Sequence, residues 1–449
     1  MRKLFALILS LALLTGCFGL AARAADTDPT RVVCTYAGED GKTIGLHWYT
    51  KADCASVAAV DGTDYTGASA QFEGGYAHRV IVKELTPGAH TYKIGDVTGA
   101  FNANPGRGND FEFIVTGDVQ ASDAWDFAYS AQTHGKAWEK FPDAKFSVIL
   151  GDFTNDCGNE QWDLFFEAFA PYNAKAALAP IAGNHDGNLK WNWFRNMFTL
   201  KEPNNFWSNM TGVYYSFDYG DAHIAVLNTN DMYPMSAVQQ NWLLNDMKAS
   251  GAHWKIVLTH RPPYTMGSHV NSPDTLPMRR ALIPLFDKAG VDLAMSGHDH
   301  IYARTRPMKG DKPAGEAADA YTDPAGTLYL LPGAACSKRY EIVEGVLPAI
   351  KGAMVKCEQP GVPIFTGIAV TDDTLTYKAY YIDPATGESA DYDSLVITKT
   401  VFAGADPNYK PKPTDFFLTL PQYLWGFVSA LFGTIWDYLF GIVPAMVGG

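Results

Sequence analysis

An α/β domain preceded by a small all-β sandwich is the fold class this sequence predicts, on three observations. Short, mostly apolar runs recur at residues 111–115, 146–150, 224–227, 255–258 and 291–295, as expected of strands buried on both faces. Helix-like stretches at 161–169, 238–248 and 279–288 lie between them. Residues 30–104 instead show the alternation of half-buried strands, clearest at 45–50 and 78–82. A chain of 449 residues is too long for one small domain, so one large unit plus a smaller one is expected.

Taken in order, the chain opens on an export signal within residues 1–24. Arg2 and Lys3 precede the apolar run 4–14, and small residues follow. Two cleavage readings stand side by side. Leu14-Thr15-Gly16-Cys17 resembles a lipoprotein box, with a lipid on Cys17, and Ala22-Arg23-Ala24 resembles an ordinary signal-peptidase site. A transmembrane anchor suits the short run less well. Either cleavage predicts an extracytoplasmic protein, secreted or membrane-anchored. The β-module (30–104) contains the turn Leu85-Thr86-Pro87-Gly88 and ends in the linker-like Asn104-Pro105-Gly106-Arg107-Gly108. The α/β unit follows over 110–400, with strands dominating again from 326 to 398. A linker (401–414) leads to an apolar, aromatic tail (415–449). The tail carries no charge from Phe416 to Trp436, and it reads either as a membrane-associated helix or as one docked on the core.

Composition narrows the function classes. A chain 47% hydrophobic and 18% charged builds a substantial core. A net charge of −13, with no basic stripe, argues against a nucleic-acid partner. An acidic protein acting on an anionic substrate needs local cations, and metal ions supply them. Cys34 with Cys54, and Cys336 with Cys357, are expected as disulfides in an exported chain, leaving Cys157 over.

The chemistry sits directly after the apolar runs. Gly117-Asp118-Val119-Gln120, Gly151-Asp152, Gly183-Asn184-His185-Asp186, His260 and Gly297-His298-Asp299-His300 each follow one. Ligands of open α/β sheets bind outside the carboxyl ends of the strands, so five such ends converge on one crevice. Carboxylate and imidazole donors suit Mn, Fe or Zn, and a carboxylate can bridge two ions about 3.5–4 Å apart. A Gly-Asp pair alone is usually a turn and a lone histidine usually structural. The alternation of His298 and His300 on one face of an extended segment is the stronger signal.

These motifs resemble the calcineurin-like metallophosphoesterase family over about residues 110–398. The preceding β-module resembles the fibronectin-III-like domain of the purple acid phosphatase branch. Val213-Tyr214-Tyr215-Ser216-Phe217-Asp218-Tyr219-Gly220, Thr259-His260-Arg261-Pro262-Pro263-Tyr264 and Gly297-His298-Asp299-His300-Ile301-Tyr302-Ala303-Arg304 are similar to signatures of that branch. The resemblance implies a four-layer αββα sandwich and an exported, acid phosphatase-like phosphohydrolase using two divalent ions and in-line hydroxide attack on a phosphoester. It implies Asp118, Asp152 and His300 at one metal, a bridging Asp152, and Asn184, His260 and His298 at the other. His185 would protonate the leaving group with Asp186 orienting its ring, and His269 would face the substrate.

Two departures from that branch matter. The iron-binding tyrosine that gives the branch its colour is replaced by Asn155, which predicts a colourless protein independent of ferric iron. The third residue of the first motif is Gln120, a neutral amide that the resemblance implies as an added first-metal ligand, with a preference shifted toward a harder ion such as Mn²⁺. Monoester and diester substrates are left open. Aromatics in residues 188–209 could stack on a nucleotide-type diester, though core filling suits them better. In a different class stands a cell-surface binding protein with a vestigial metal site, against which the nearly complete ligand set argues.

Overall fold

The computed structural model describes residues 25–187, 190–402 and 404–442. The export signal and Cys17 lie outside the described residues. Eight strands build the N-terminal module: β1 (Thr30–Tyr36), β2 (Ile44–Thr50), β3 (Val57–Val60), β4 (Thr63–Thr66), β5 (Ala68–Phe72), β6 (Gly75–Val82), β7 (Gly88–Ile94) and β8 (Val97–Ala103). The α/β unit begins with β9 (Phe111–Thr116), α1 (Ala124–Lys140), β10 (Phe146–Ile149), α2 (Asn159–Asn173) and β11 (Ala177–Pro180). Three short helices follow, α3 (Asn184–Gly187), α4 (Trp193–Met197) and α5 (Phe206–Thr211). Then come β12 (Tyr215–Tyr219), β13 (Ala222–Val226), α6 (Ala237–Ala249), β14 (Trp254–Thr259), α7 (Thr275–Ala289), β15 (Leu293–Ser296) and β16 (Tyr302–Thr305). The hairpin β17 (Met308–Lys309) and β18 (Lys312–Pro313) precedes β19 (Ala320–Thr322), β20 (Leu328–Pro332), α8 (Pro348–Ala353) and β21 (Met354–Glu358). The last strands are β22 (Ile364–Val370), β23 (Thr374–Ile382) and β24 (Ser389–Thr398), and α9 (Phe416–Asp437) follows, continued by a π-helical turn at Tyr438–Ile442.

Two large sheets face each other. One has 11 strands in the order β19-β24-β23-β22-β9-β10-β11-β1-β2-β6-β5, and the other has seven, β12-β13-β14-β15-β20-β16-β21. Phe113, Val115, Ile256 and Leu258 fill the space between the sheets, while Ile114 and Val257 point outward to the helices. This two-sided burial is why the strands read as continuous apolar runs rather than alternating ones. Helices α1 and α2 lie against the first sheet, and α6 and α7 against the second. The result is the four-layer αββα sandwich.

The N-terminal sandwich is not a detached bead. Strand β1 pairs parallel to β11 at Thr35 and Leu178, so β1, β2, β6 and β5 extend the central sheet. The second layer is a separate four-stranded sheet, β4-β3-β7-β8. The expected disulfides are corrected: Cys34, Cys54, Cys157, Cys336 and Cys357 are all free. Cys34 faces Leu46 across β1 and β2, Cys54 lies by His78, Cys336 lies against His300 and Cys357 opposes Ala303. Neighbourhood in sequence does not bring two Cβ atoms within bridging distance.

Of the two readings of the tail, docking describes the inner side of α9. Asn241 of α6 bonds the Gln422 side chain, the Tyr423 hydroxyl donates to the Tyr233 carbonyl, and Arg280 of α7 pairs with Asp437 at 2.6 Å. The outer side leaves Phe417, Trp425, Phe432 and Trp436 exposed. Length and composition alone would let this helix cross a membrane, but its bonds hold it to the domain.

His223 of β13 sits between Asp218 of β12 (2.6 Å) and Asp246 of α6 (2.8 Å). Burial opposes its charge, and the two carboxylates more than offset this, raising its pKa to about 9. A folded-state pKa above the unfolded value of about 6.5 stabilises fully below that pH, and the contribution disappears as pH rises through about 9. His223→Gln should therefore lower the unfolding midpoint most at about pH 6, with the gap to wild type closing above about pH 9. A gap independent of pH in thermal melts would contradict the triad's role.

Candidate metal centre

Five strand ends meet in one place. The loops after β9, β10 and β11 come from the first sheet, and those after β14 and β15 from the second. Strands β9, β10 and β11 run parallel to one another, as do β14 and β15, so their carboxyl ends lie on one side. Asp118, Gln120, Asp152, His260, His298 and His300 are buried there, and Asn184 is half-buried.

The donor atoms converge. Candidate ligand atoms of Asp152, His260 and His298 all lie within 4.8 Å of one another. The His260 Nε2 is 2.9 Å from Asn184 Oδ1 and 3.3 Å from Asp152 Oδ2. The His300 Nε2 is 3.1 Å from Asp118 Oδ2, whose carboxylate also accepts from the His298 backbone N–H at 2.9 Å. Two of the three imidazoles are oriented from behind. His260 donates Nδ1–H to the Leu150 carbonyl (2.8 Å) and His300 to the Lys338 carbonyl (3.1 Å), so in both rings Nε2 faces the centre.

Two buried side-chain atoms there have no partner among the described residues, Gln120 Oε1 and His298 Nε2. Buried polar atoms are seldom left unpaired, so an amide oxygen and an imidazole nitrogen in this state fit cation binding at this centre. The backbone is strained at the same residues. Gln120, Asp152, His298 and His300 hold positive φ values of 33°, 47°, 75° and 44°. Two glycines let main chain approach the carboxylates, since a Cβ on Gly183 would overlap Asp152 and one on Gly297 would overlap Asp118.

The charges are arranged for a cation. Burial raises the Asp152 pKa, but the imidazoles of His260 and His185 outweigh it and hold the carboxyl at about 2. Burial likewise opposes a charged His260, and Asp152 and Asp118 bring its pKa up to about 9. Burial, followed by the neighbouring His260, keeps His298 neutral.

Asp186 is corrected. It does not touch the His185 ring. Its carboxylate is fully buried and accepts from the backbone N–H groups of Phe153 and Gly183, both at 2.9 Å. Burial, with the charge of Asp152, raises its pKa. The His185 ring is oriented by the Asn155 carbonyl, which accepts from Nδ1–H at 2.5 Å, and its Nε2 lies 2.7 Å from Gln120 Nε2. On the opposite side, the His269 ring lies 4.4 Å from that of His298. Its Nδ1 is 2.7 Å from Asp299 Oδ1.

Sequence reasoning gave Asp299 no role, although its place between two histidines on an extended segment puts it on the opposite face. Arg261 was quoted only within a motif. It donates to Asn230, which in turn donates to the Gly183 carbonyl at 2.7 Å, bracing that loop. Tyr340, stacked on His300 at 4.4 Å, carried no signal because it lies in an irregular loop far downstream. Core filling describes only some of the aromatics of residues 190–209. Trp193, Phe194 and Phe198 fill the core, and Trp191, Phe206 and Trp207 are exposed.

Comparison with known proteins agrees with this geometry. The Calcineurin-like phosphoesterase family model matches residues 111–302. Mouse acid phosphatase type 7 is 25% identical over 353 residues, covering 68% of this chain and 78% of that protein. Purple acid phosphatase 21 of Arabidopsis thaliana is 25% identical over 276 residues, 58% of this chain and 59% of its own length. The purple acid phosphatase from yellow lupin seeds superposes with a TM-score of 0.70 at 18% identity, covering 86% of this chain and 78% of that one, which shows a shared fold.

The glycine constraint gives a test. Gly183→Ala should weaken Mn²⁺ binding roughly 10- to 100-fold in calorimetry. Gly352→Ala, where a Cβ meets open space, should leave it unchanged. Equal affinities for the two variants would contradict the geometry.

Proposed function

We propose, starting from the calcineurin-like phosphoesterase domain that residues 111–302 form, that this chain is an exported, purple acid phosphatase-like enzyme working with two divalent ions. The domain is that of a phosphoester hydrolase with a divalent metal cofactor. The observation that carries the two-ion reading is the position of Asp152. One of its oxygens faces His260 at 3.3 Å and the other accepts the His185 backbone N–H at 2.8 Å. Asp118, Gln120, Asp152 and His300 would hold one ion, and Asp152, Asn184, His260 and His298 the other. When bound, such ions polarise the phosphoryl group and lower the pKa of water. The chain's own residues supply the rest. The strand-end loops fix the donors, and burial keeps bulk water from screening them.

Gln120 contributes a neutral oxygen and Asn155 replaces an iron-binding tyrosine, so Mn²⁺ or another non-ferric ion is the expected cofactor. The expected preparation is colourless. The sequence signal at residues 1–24 supports an extracytoplasmic site of action.

For the departing alcohol, His185 is the proton donor in the first reading, with Asn155 rather than Asp186 holding its ring. A second reading has a specific observation behind it: His269 has the carboxylate backing that His185 lacks, through Asp299 at 2.7 Å. The substrate's leaving group separates them. A proton donor matters most when the departing alkoxide is basic. His185→Ala should therefore depress kcat roughly 10²- to 10⁴-fold on an alkyl phosphate and far less on a nitrophenyl phosphate. If His269→Ala shows that selectivity and His185→Ala does not, the roles exchange. Asp152→Asn and metal chelation should each abolish turnover of aryl phosphate and bis-aryl phosphate. Turnover surviving both would favour a binding protein.

A further inference from the structure

The segment from Ser337 to Tyr340 leaves β20 and crosses the metal centre. It is tied down on every side. The Ser337 hydroxyl donates to Asp126 of α1 at 2.9 Å. The Gln359 amide donates to the carbonyls of both His300 (3.0 Å) and Tyr340 (2.6 Å). One terminal nitrogen of the Arg339 guanidinium folds back onto the Cys336 and Lys338 carbonyls. The Tyr340 ring stacks on His300 at 4.4 Å and 23°, and meets His269 edge-on at 4.9 Å and 76°. The Lys338 ammonium lies 5.2 Å from the Tyr340 ring centroid. Lys338 is exposed and, among the described residues, makes no ion pair. Arg261, a further cation beside the centre, is held by Asp274 at 2.8 Å and by Asn230 at 2.7 Å. Lys338 is therefore an exposed positive charge beside His300 with no carboxylate partner among the described residues.

We propose that this segment is a wall of the substrate site, in which Tyr340 is a positioning residue for His300 and His269 and Lys338 receives negative charge of the phosphoryl group left outside the metal centre. This rests on the phosphoesterase reading above. A loop that orients a candidate ligand through its Lys338 carbonyl and presents the Lys338 ammonium over the adjoining ring joins metal binding to substrate charge. It makes Lys338 a residue that distinguishes esters by charge. Near neutral pH an aryl phosphate carries close to two negative charges, since its second pKa is about 6, whereas a bis-aryl phosphate carries one.

The test compares wild type, Lys338→Met and Tyr340→Leu in two measurements. The first is steady-state hydrolysis of aryl phosphate and bis-aryl phosphate with saturating Mn²⁺. The second is calorimetric titration of inorganic phosphate into the Mn²⁺-loaded protein. Lys338→Met should raise KM for the aryl phosphate roughly tenfold with kcat nearly unchanged, leave the diester within roughly twofold, and raise the Kd of phosphate as much as the aryl KM. An equal effect on both esters, or an unchanged phosphate Kd, overturns the role of Lys338. If wild type turns over neither ester, the phosphoesterase reading fails, and the phosphate Kd alone decides the inference. Tyr340→Leu should weaken Mn²⁺ binding and Tyr340→Phe should restore it, while equal Mn²⁺ affinities overturn the positioning role.

Discussion

The site depends on one buried charge. The Asp152 carboxylate is 2% exposed and stays ionised because His260 and His185 stand against it. Removing an ionised carboxylate from water costs on the order of several kcal/mol unless it is paired. Protons on the histidines can balance it without metal, as the raised pKa of His260 indicates. A divalent cation balances it better, and the unpartnered Gln120 Oε1 and His298 Nε2 are placed to complete such a shell.

The fold holds that charge by making two sheets end together. Parallel strands β9, β10 and β11 deliver Asp118, Asp152 and Asn184, and β14 with β15 delivers His260, His298 and His300. The strained φ values at the donors are tolerated because the strands behind them are locked on both faces. Asp186 belongs to this frame. Its two oxygens clamp the loops after β10 and β11 together through backbone N–H groups.

Much of this was legible in the residues. Two-sided burial writes itself as unbroken apolar runs, so the central strands were found, and the polar clusters that follow them located the centre. The sequence was less clear where burial is mixed. Helix α1 buries Ser130, Thr133, His134 and Gly135 beside Phe127 and Trp138, which blurs its apolar period. The parallel pairing of β1 with β11 leaves no local trace, since it joins Thr35 to Leu178. The role of Asp186 was misjudged because adjacency in sequence hides direction: on the turn of α3 its side chain points away from that of His185 into the loops. Tyr340 reaches the centre only through tertiary packing.

The most direct test of the account is anomalous scattering at the manganese edge from crystals grown with Mn²⁺. The account predicts two peaks about 3.5–4 Å apart on either side of the Asp152 carboxylate, one near Asp118, Gln120 and His300 and the other near Asn184, His260 and His298. A single peak, or two peaks not bridged by Asp152, would contradict it.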